Sequence, residues 1–83
     1  MPLFMDVHNH IADLTRDGLA NAHAKDLEIQ SKYGVKYQKY WFDEKTGKVF
    51  CLVEAPDKDS AMKVHKEAHG LVADEIIEVK EGK

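Results

Sequence analysis

Five histidines stand in a chain of 83 residues, and four of them fall into chelating pairs. His8 and His10 sit two residues apart in an alternating stretch, and a strand there sends both imidazoles to one face with Cα atoms roughly 6–7 Å apart. His65 and His69 are one helical turn apart, about 6 Å along the axis and again on one side. Imidazoles with carboxylates nearby suit nickel, zinc or copper better than calcium or magnesium, which prefer all-oxygen shells. The plainer reading is a surface pair on a strand end and a helix-end pair that complements the dipole. His23 lies beside an apolar stripe of Leu19 and Leu27, where a hydrogen-bonded histidine at the core edge is its simplest role.

Other chemistries find less support. His65-Lys66-Glu67-Ala68-His69 has the two histidines of a zinc-protease helix, but Glu67 falls one place too late to serve as that mechanism's base. Cys51 alternates with Val49 and Val53 and reads as a buried structural thiol. No serine or thiol stands in a recognisable nucleophile elbow, and glycine-rich phosphate loops and dinucleotide fingerprints are absent. Tyr37, Tyr40, Trp41 and Phe42 form an aromatic run that reads as packing before it reads as a stacking platform.

These side chains need elements to hold them. Leu3 to Asn9 alternates an apolar set, Leu3, Met5 and Val7, with Phe4, Asp6 and His8, which predicts a strand whose apolar set faces the core. Thr15 is a candidate N-cap for a helix over 15–33 that Gly34 ends, with Asp17 favourable in the first turn. Val35 to Asp43 and Lys48 to Ala55 are rich in aromatic and β-branched residues, and the loop Asp43-Glu44-Lys45-Thr46-Gly47 joins them as a hairpin. Pro56 stops the second of these strands, Asp57 or Asp59 caps a helix to about His69, and Gly70 ends it. A last strand runs over 75–79.

The order strand-helix-strand-strand-helix-strand predicts an α+β, ferredoxin-like sandwich over residues 1–83 as a single domain, with an antiparallel sheet in the order 4-1-3-2 and both helices on one face. The first strand and second helix then run in the same direction, which gathers His10, His69, Asp74 and Glu75 at one end. Alternation predicts an open face carrying Phe4, Asp6, His8 and His10 from the first strand, and Phe50, Leu52 and Glu54 from the third. Covering Phe4, Phe50 and Leu52 would contribute roughly 1.5–3 kcal/mol each, so a second copy is the expected cover, giving a homodimer of the dimeric α/β-barrel type with a polar pocket inside.

Composition narrows the partners. Twelve Lys and Arg against fifteen Asp and Glu give a formal charge of -3 without a basic run, which argues against nucleic acid. One cysteine excludes an internal disulfide. The start, Met1-Pro2-Leu3-Phe4-Met5-Asp6, lacks a signal-peptide pattern, and no stretch approaches a membrane span, so the expectation is a cytoplasmic protein without a membrane partner.

Met5-Asp6-Val7-His8, Ala22-His23 with Asp26-Leu27, Tyr40-Trp41-Phe42-Asp43, Gly47 through Pro56, and His65-Lys66-Glu67-Ala68-His69-Gly70 running into Ala73-Asp74-Glu75-Ile76 carry a resemblance over nearly the whole chain. The chain resembles a bacterial family of small ferredoxin-like proteins of unknown function described as nickel-binding. That resemblance implies a homodimeric α/β barrel that binds nickel, without an established enzymatic activity. Asp6, His8, His23, His65 and His69 lie within the resembling stretches, and His10 lies outside them. The candidate metal ligands are therefore Asp6, His8, His10, His23, His65 and His69, for Ni2+ or another divalent transition metal such as Zn2+ or Cu2+. The expected role is sequestration or sensing. The alternative is a small-molecule-binding or oxygenase-like enzyme using the open-face pocket, with Asp6 or Glu54 beside His8 as acid and base.

Overall fold

The computed structural model describes residues 1–82. Its elements are strand β1 (Leu3–His8), helix α1 (Arg16–Ile29) with a 3-10 turn over Gln30–Tyr33, strands β2 (Lys36–Asp43) and β3 (Lys48–Glu54), helix α2 (Lys58–Ala68) and strand β4 (Glu75–Val79). Local chemistry sets most of the boundaries. The Thr15 side chain accepts from the Gly18 N–H to open α1, and Asp57 accepts from the Ser60 N–H to open α2. Gly34 closes the 3-10 turn at φ 67°, a left-handed conformation that favours glycine.

The four strands pair antiparallel in the order β2-β3-β1-β4, the ferredoxin-like arrangement expected from the sequence. β1 sits in the interior of the sheet, with Asp6 opposite Cys51 on β3 and Ile76 on β4. A register irregularity between Tyr37 and Lys39 shifts β2 so that Tyr37, Tyr40 and Phe42 share a side with Val53, Cys51 and Val49. Phe4, Leu19, Val35, Tyr37, Val49, Cys51, Val53, Ala55, Ala61 and Val64 form the core between sheet and helices.

One expectation is reversed. Phe4, Asp6 and His8 face the helices, and Leu3, Met5 and Val7 line the face that no helix covers. Alternation correctly separates the two sets but does not say which side each occupies, and the wholly apolar set is the one left outside. The cause lies on other elements. His65 on α2 and Tyr37 on β2 supply hydrogen bonds to Asp6, so its burial on the helix side leaves fewer polar atoms unpaired than burial elsewhere would. The helix-free face consequently carries Leu3, Met5, Trp41, Phe50, Leu52 and Ile77 without Asp6 or His8. The acid and base pair expected in an open-face pocket is therefore on the opposite side of the sheet, and Glu54 is separated from both.

Candidate metal centre

The centre is assembled from every layer of the fold. Asp6 and His8 come from β1, Tyr37 from β2, Cys51 from β3, Asp26 from α1, and His65 and His69 from α2 and its C-terminal cap. Leu19, Ala22 and Asp26 form the buried stripe of α1, so Asp26 points where an apolar residue would ordinarily go. On α2 the buried positions are Ala61, Val64 and His65, and the small Ala61 leaves room for the Tyr37 ring to reach the helix backbone.

His65 is the hub. Its Nδ1 lies 2.9 Å from Asp26 Oδ1 and its Nε2 lies 2.9 Å from Asp6 Oδ2. Ionised carboxylates only accept, so both ring nitrogens donate and the imidazole is a cation held between two acids. Burial by itself would lower the His65 pKa, but hydrogen bonds to Asp26 and Asp6 outweigh it and push the value up to about 9. For Asp6 and Asp26 burial would raise the carboxyl, and the hydrogen bond with His65 leads the effects that overcome it, holding both below the usual carboxylate range. The Tyr37 hydroxyl donates to Asp6 Oδ2 at 2.8 Å, with the Ala61 carbonyl 3.1 Å away. Burial and the Asp6 charge raise both Tyr37 and the Cys51 thiol, so both are neutral.

The two outer histidines are fixed differently. His69 Nδ1 accepts from the Leu71 N–H at 3.0 Å, which leaves the ring proton on Nε2, 3.0 Å from Asp26 Oδ1. Its ring thus has no free lone pair. His8 Nε2 lies 3.4 Å from Asp6 Oδ1 without the alignment of a hydrogen bond, and Oδ1 is a wholly buried acceptor with no partner among the described residues. A buried carboxylate oxygen with no hydrogen bond, in a core that satisfies its neighbours, has acceptor capacity to spare beside the His8 ring. Asp6, His8, Cys51 and His65 each offer a ligand atom, all within 4.8 Å of one another, and Asp26, His65 and His69 form a second such group.

The matching family model spans residues 4–79 and is described as nickel responsive protein, SCO4226-like. The chain belongs to this family. The crystal structure of SCO4226 from Streptomyces coelicolor A3(2) superimposes with a TM-score of 0.90 at 37% sequence identity, covering 98% of this chain and 99% of that one. No curated protein matches the chain.

In this member of the nickel responsive family, the donor chemistry fits a divalent transition metal. Two imidazoles, a carboxylate and a thiol make a mixed nitrogen, oxygen and sulfur set, suited to nickel, zinc or copper and ill suited to calcium or magnesium. Asp26 holds His65 by Nδ1, which is the outer-shell arrangement that orients a ligating imidazole through its other nitrogen.

Among the residues singled out from sequence, Asp6, His8 and His65 come together, and His69 joins them through Asp26. His10 stands apart on the surface, where its Nδ1 lies 2.9 Å from the Thr46 carbonyl, and it shares a cavity with His8 and Asp74. Glu75 is not in that cavity. His23 is half-buried against Tyr40, ring centroids 4.7 Å apart, and belongs to neither ligand group; burial lowers its pKa. Sequence patterning marks neither Tyr37 nor Asp26 as part of a site, and it reads Cys51 as structural. The acid that completes an apolar helical stripe, Leu19, Ala22, Asp26, is the one sequence signal that points inward.

Proposed function

We propose that this protein binds a divalent transition-metal ion, nickel foremost, at the buried group of Asp6, His8, Cys51 and His65, as cargo for sequestration or as a signal for sensing. The observation that carries the reading is the unpartnered Asp6 Oδ1, buried beside two imidazoles and a thiol within ligating reach. The family description and the SCO4226 likeness support nickel as the first metal to test. Asp26 and His69 are positioning residues in this scheme, keeping the His65 ring oriented while its Nε2 proton gives way to the ion. That exchange requires His65 to become neutral and Cys51, if it ligates, to become a thiolate, so binding releases one proton or two.

The same proposal includes a homodimer formed through the helix-free sheet face, in the cytoplasm. Trp41 at 48%, Ile77 at 49% and Phe50 at 36% exposure lie on that face beside Leu3, Met5 and Leu52, with Lys39, Glu54 and Glu75 among them, and exposed apolar residues gathered on one face are of the kind that partners cover. No described helix is long and apolar enough to cross a membrane.

Calorimetric titration of untagged protein with Ni2+, in two buffers of different ionisation enthalpy, tests the metal assignment. Saturable binding with proton release is expected, weakened at least tenfold by Asp6→Asn and by His8→Ala, and Cys51→Ser should abolish a near-ultraviolet sulfur-to-nickel absorption band. Binding unaltered by Asp6→Asn and His8→Ala would remove the assignment.

A further inference from the structure

The ligand atoms of the proposed site are closed off from solvent. Asp6 is 0%, His65 2% and His8 4% exposed, so an ion needs a way past one of them. A surface cavity of about 270 Å³ has His8 in its wall, together with His10, Ile11, Gly70 and Asp74. At roughly 30 Å³ per water this is space for a cation that still carries its hydration shell. His8 is the one residue common to this cavity and the buried group, with its Nε2 3.4 Å from the orphaned Asp6 Oδ1.

The cavity mouth is prepared for a cation. His10 donates Nδ1–H to the Thr46 carbonyl, a bond that fixes the tautomer and leaves the Nε2 lone pair available. The hairpin turn packs tightly under this ring, since a Cβ on Gly47 would lie 2.8 Å from His10 Nδ1 and 2.9 Å from the Ile11 carbonyl oxygen. Ile11 N–H donates to the Gly47 carbonyl and locks the same contact. On the other side, Asp74 accepts from the Asn9 N–H at 2.7 Å and gives its own N–H to the Val7 carbonyl, which ties its carboxylate to the end of β1. An imidazole and a carboxylate are thus held on opposite flanks of a strand whose last helix-facing residue is His8.

We infer that this cavity is the loading vestibule of the buried site. His10 and Asp74 capture a hydrated divalent transition-metal ion, exchanging some of its waters for an imidazole nitrogen and a carboxylate oxygen. His8 then passes it inward to Asp6 by taking the place of the vestibule donors. The inference rests on the metal-site reading above. It gives His10 and Asp74 a role in rate and none in final affinity, because neither is among the buried ligand groups.

Stopped-flow mixing of the untagged full chain with Ni2+, and release into excess chromogenic chelator, measures the two rates. His10→Ala and Asp74→Asn should each slow uptake and release by fivefold or more while the dissociation constant stays within twofold. Ala12→Trp, which adds bulk at an exposed position of the cavity wall and replaces no proposed ligand, should do the same, and it covers the case in which losing the Asp74 contacts disturbs the fold. Unchanged rates in His10→Ala and Ala12→Trp would overturn the vestibule. Affinity lost tenfold in His10→Ala with uptake unaltered would also overturn it, by making His10 a ligand. Failure of the wild-type chain to bind Ni2+ at equilibrium would instead remove the metal site itself, a result read from the titration and not from the rates.

Discussion

The two faces of the sheet solve the problem of a small core in opposite ways. The helix side buries two aspartates, a cationic histidine and a tyrosine hydroxyl among its apolar residues, each group paired with another except Asp6 Oδ1. The helix-free side is largely apolar and half-exposed, with Trp41, Phe50 and Ile77 open to solvent beside the charged Lys39, Glu54 and Glu75. A buried polar network contributes little net stability compared with apolar packing of the same volume, yet breaking it is costly. An apolar open face is the reverse: each residue can be changed cheaply in the monomer, and the consequence falls on whatever covers it. Polarity is thus placed where the surrounding elements hold it rigid, and apolar surface where no helix covers it.

The largest effect is expected from His65→Ala. It leaves Asp6 and Asp26 as neighbouring buried carboxylates with their shared cation removed, and uncompensated buried charge of this kind costs about 3–5 kcal/mol. Urea unfolding of metal-free protein measures it. A loss below about 1 kcal/mol would mean the carboxylates are solvated or protonated, and the contrast between the faces would collapse.

Next is the pH dependence of the metal-free chain. His65 binds its second proton more tightly folded than unfolded, so its contribution is complete below the ordinary value of 6.5 and is lost as pH rises through about 9. Asp6 and Asp26 behave oppositely, with folded values depressed, so their contribution is present above 3.8 and lost in acid. Stability should therefore be highest between the two ranges. It should fall by about 2–3 kcal/mol between roughly pH 6 and pH 9, at about 1.4 kcal/mol for each pH unit that separates the folded from the unfolded value. Unfolding free energies that stay level over that interval would show that His65 is neutral in the folded chain.

A smaller effect in the monomer is expected on the other face. Trp41→Lys and Phe50→Lys should change monomer unfolding by no more than about 0.5 kcal/mol, because both side chains are substantially exposed. Self-association followed by sedimentation equilibrium should weaken at least tenfold in the same variants. If association is unaffected, the apolar face is not the contact between copies.

How these features were legible in the sequence differs by range. Thr15, Asp57 and Gly34 act within three or four residues, and the elements they bound were readable from them. The hairpin followed from its loop composition. The orientation of β1 was not readable, because it is decided by Tyr37, 31 positions away, and His65, 59 positions away, and alternation is the same whichever set turns inward. The candidate histidines were visible by type and spacing. Their unequal standing was not, since it depends on what each ring nitrogen already meets: the Leu71 N–H takes the Nδ1 lone pair of His69, His10 gives its Nδ1 proton to the Thr46 carbonyl on the surface, and His65 donates to two carboxylates in the interior.

His23→Ala gives the smallest expected effect on the metal centre and the finest division of the helix side. His23 stands on α1 three residues before Asp26, yet its ring packs at a 45° tilt against Tyr40 and it takes no part in either group of ligand atoms. An aromatic contact at a half-buried edge is worth about 0.5–1.5 kcal/mol, so stability should fall by an amount within that range. The Ni2+ dissociation constant should stay within twofold. A drop in affinity of tenfold would place His23 in the centre after all and would require α1 to rotate its Asp26 stripe, which a parallel loss in His65 titration, followed by NMR, would reveal.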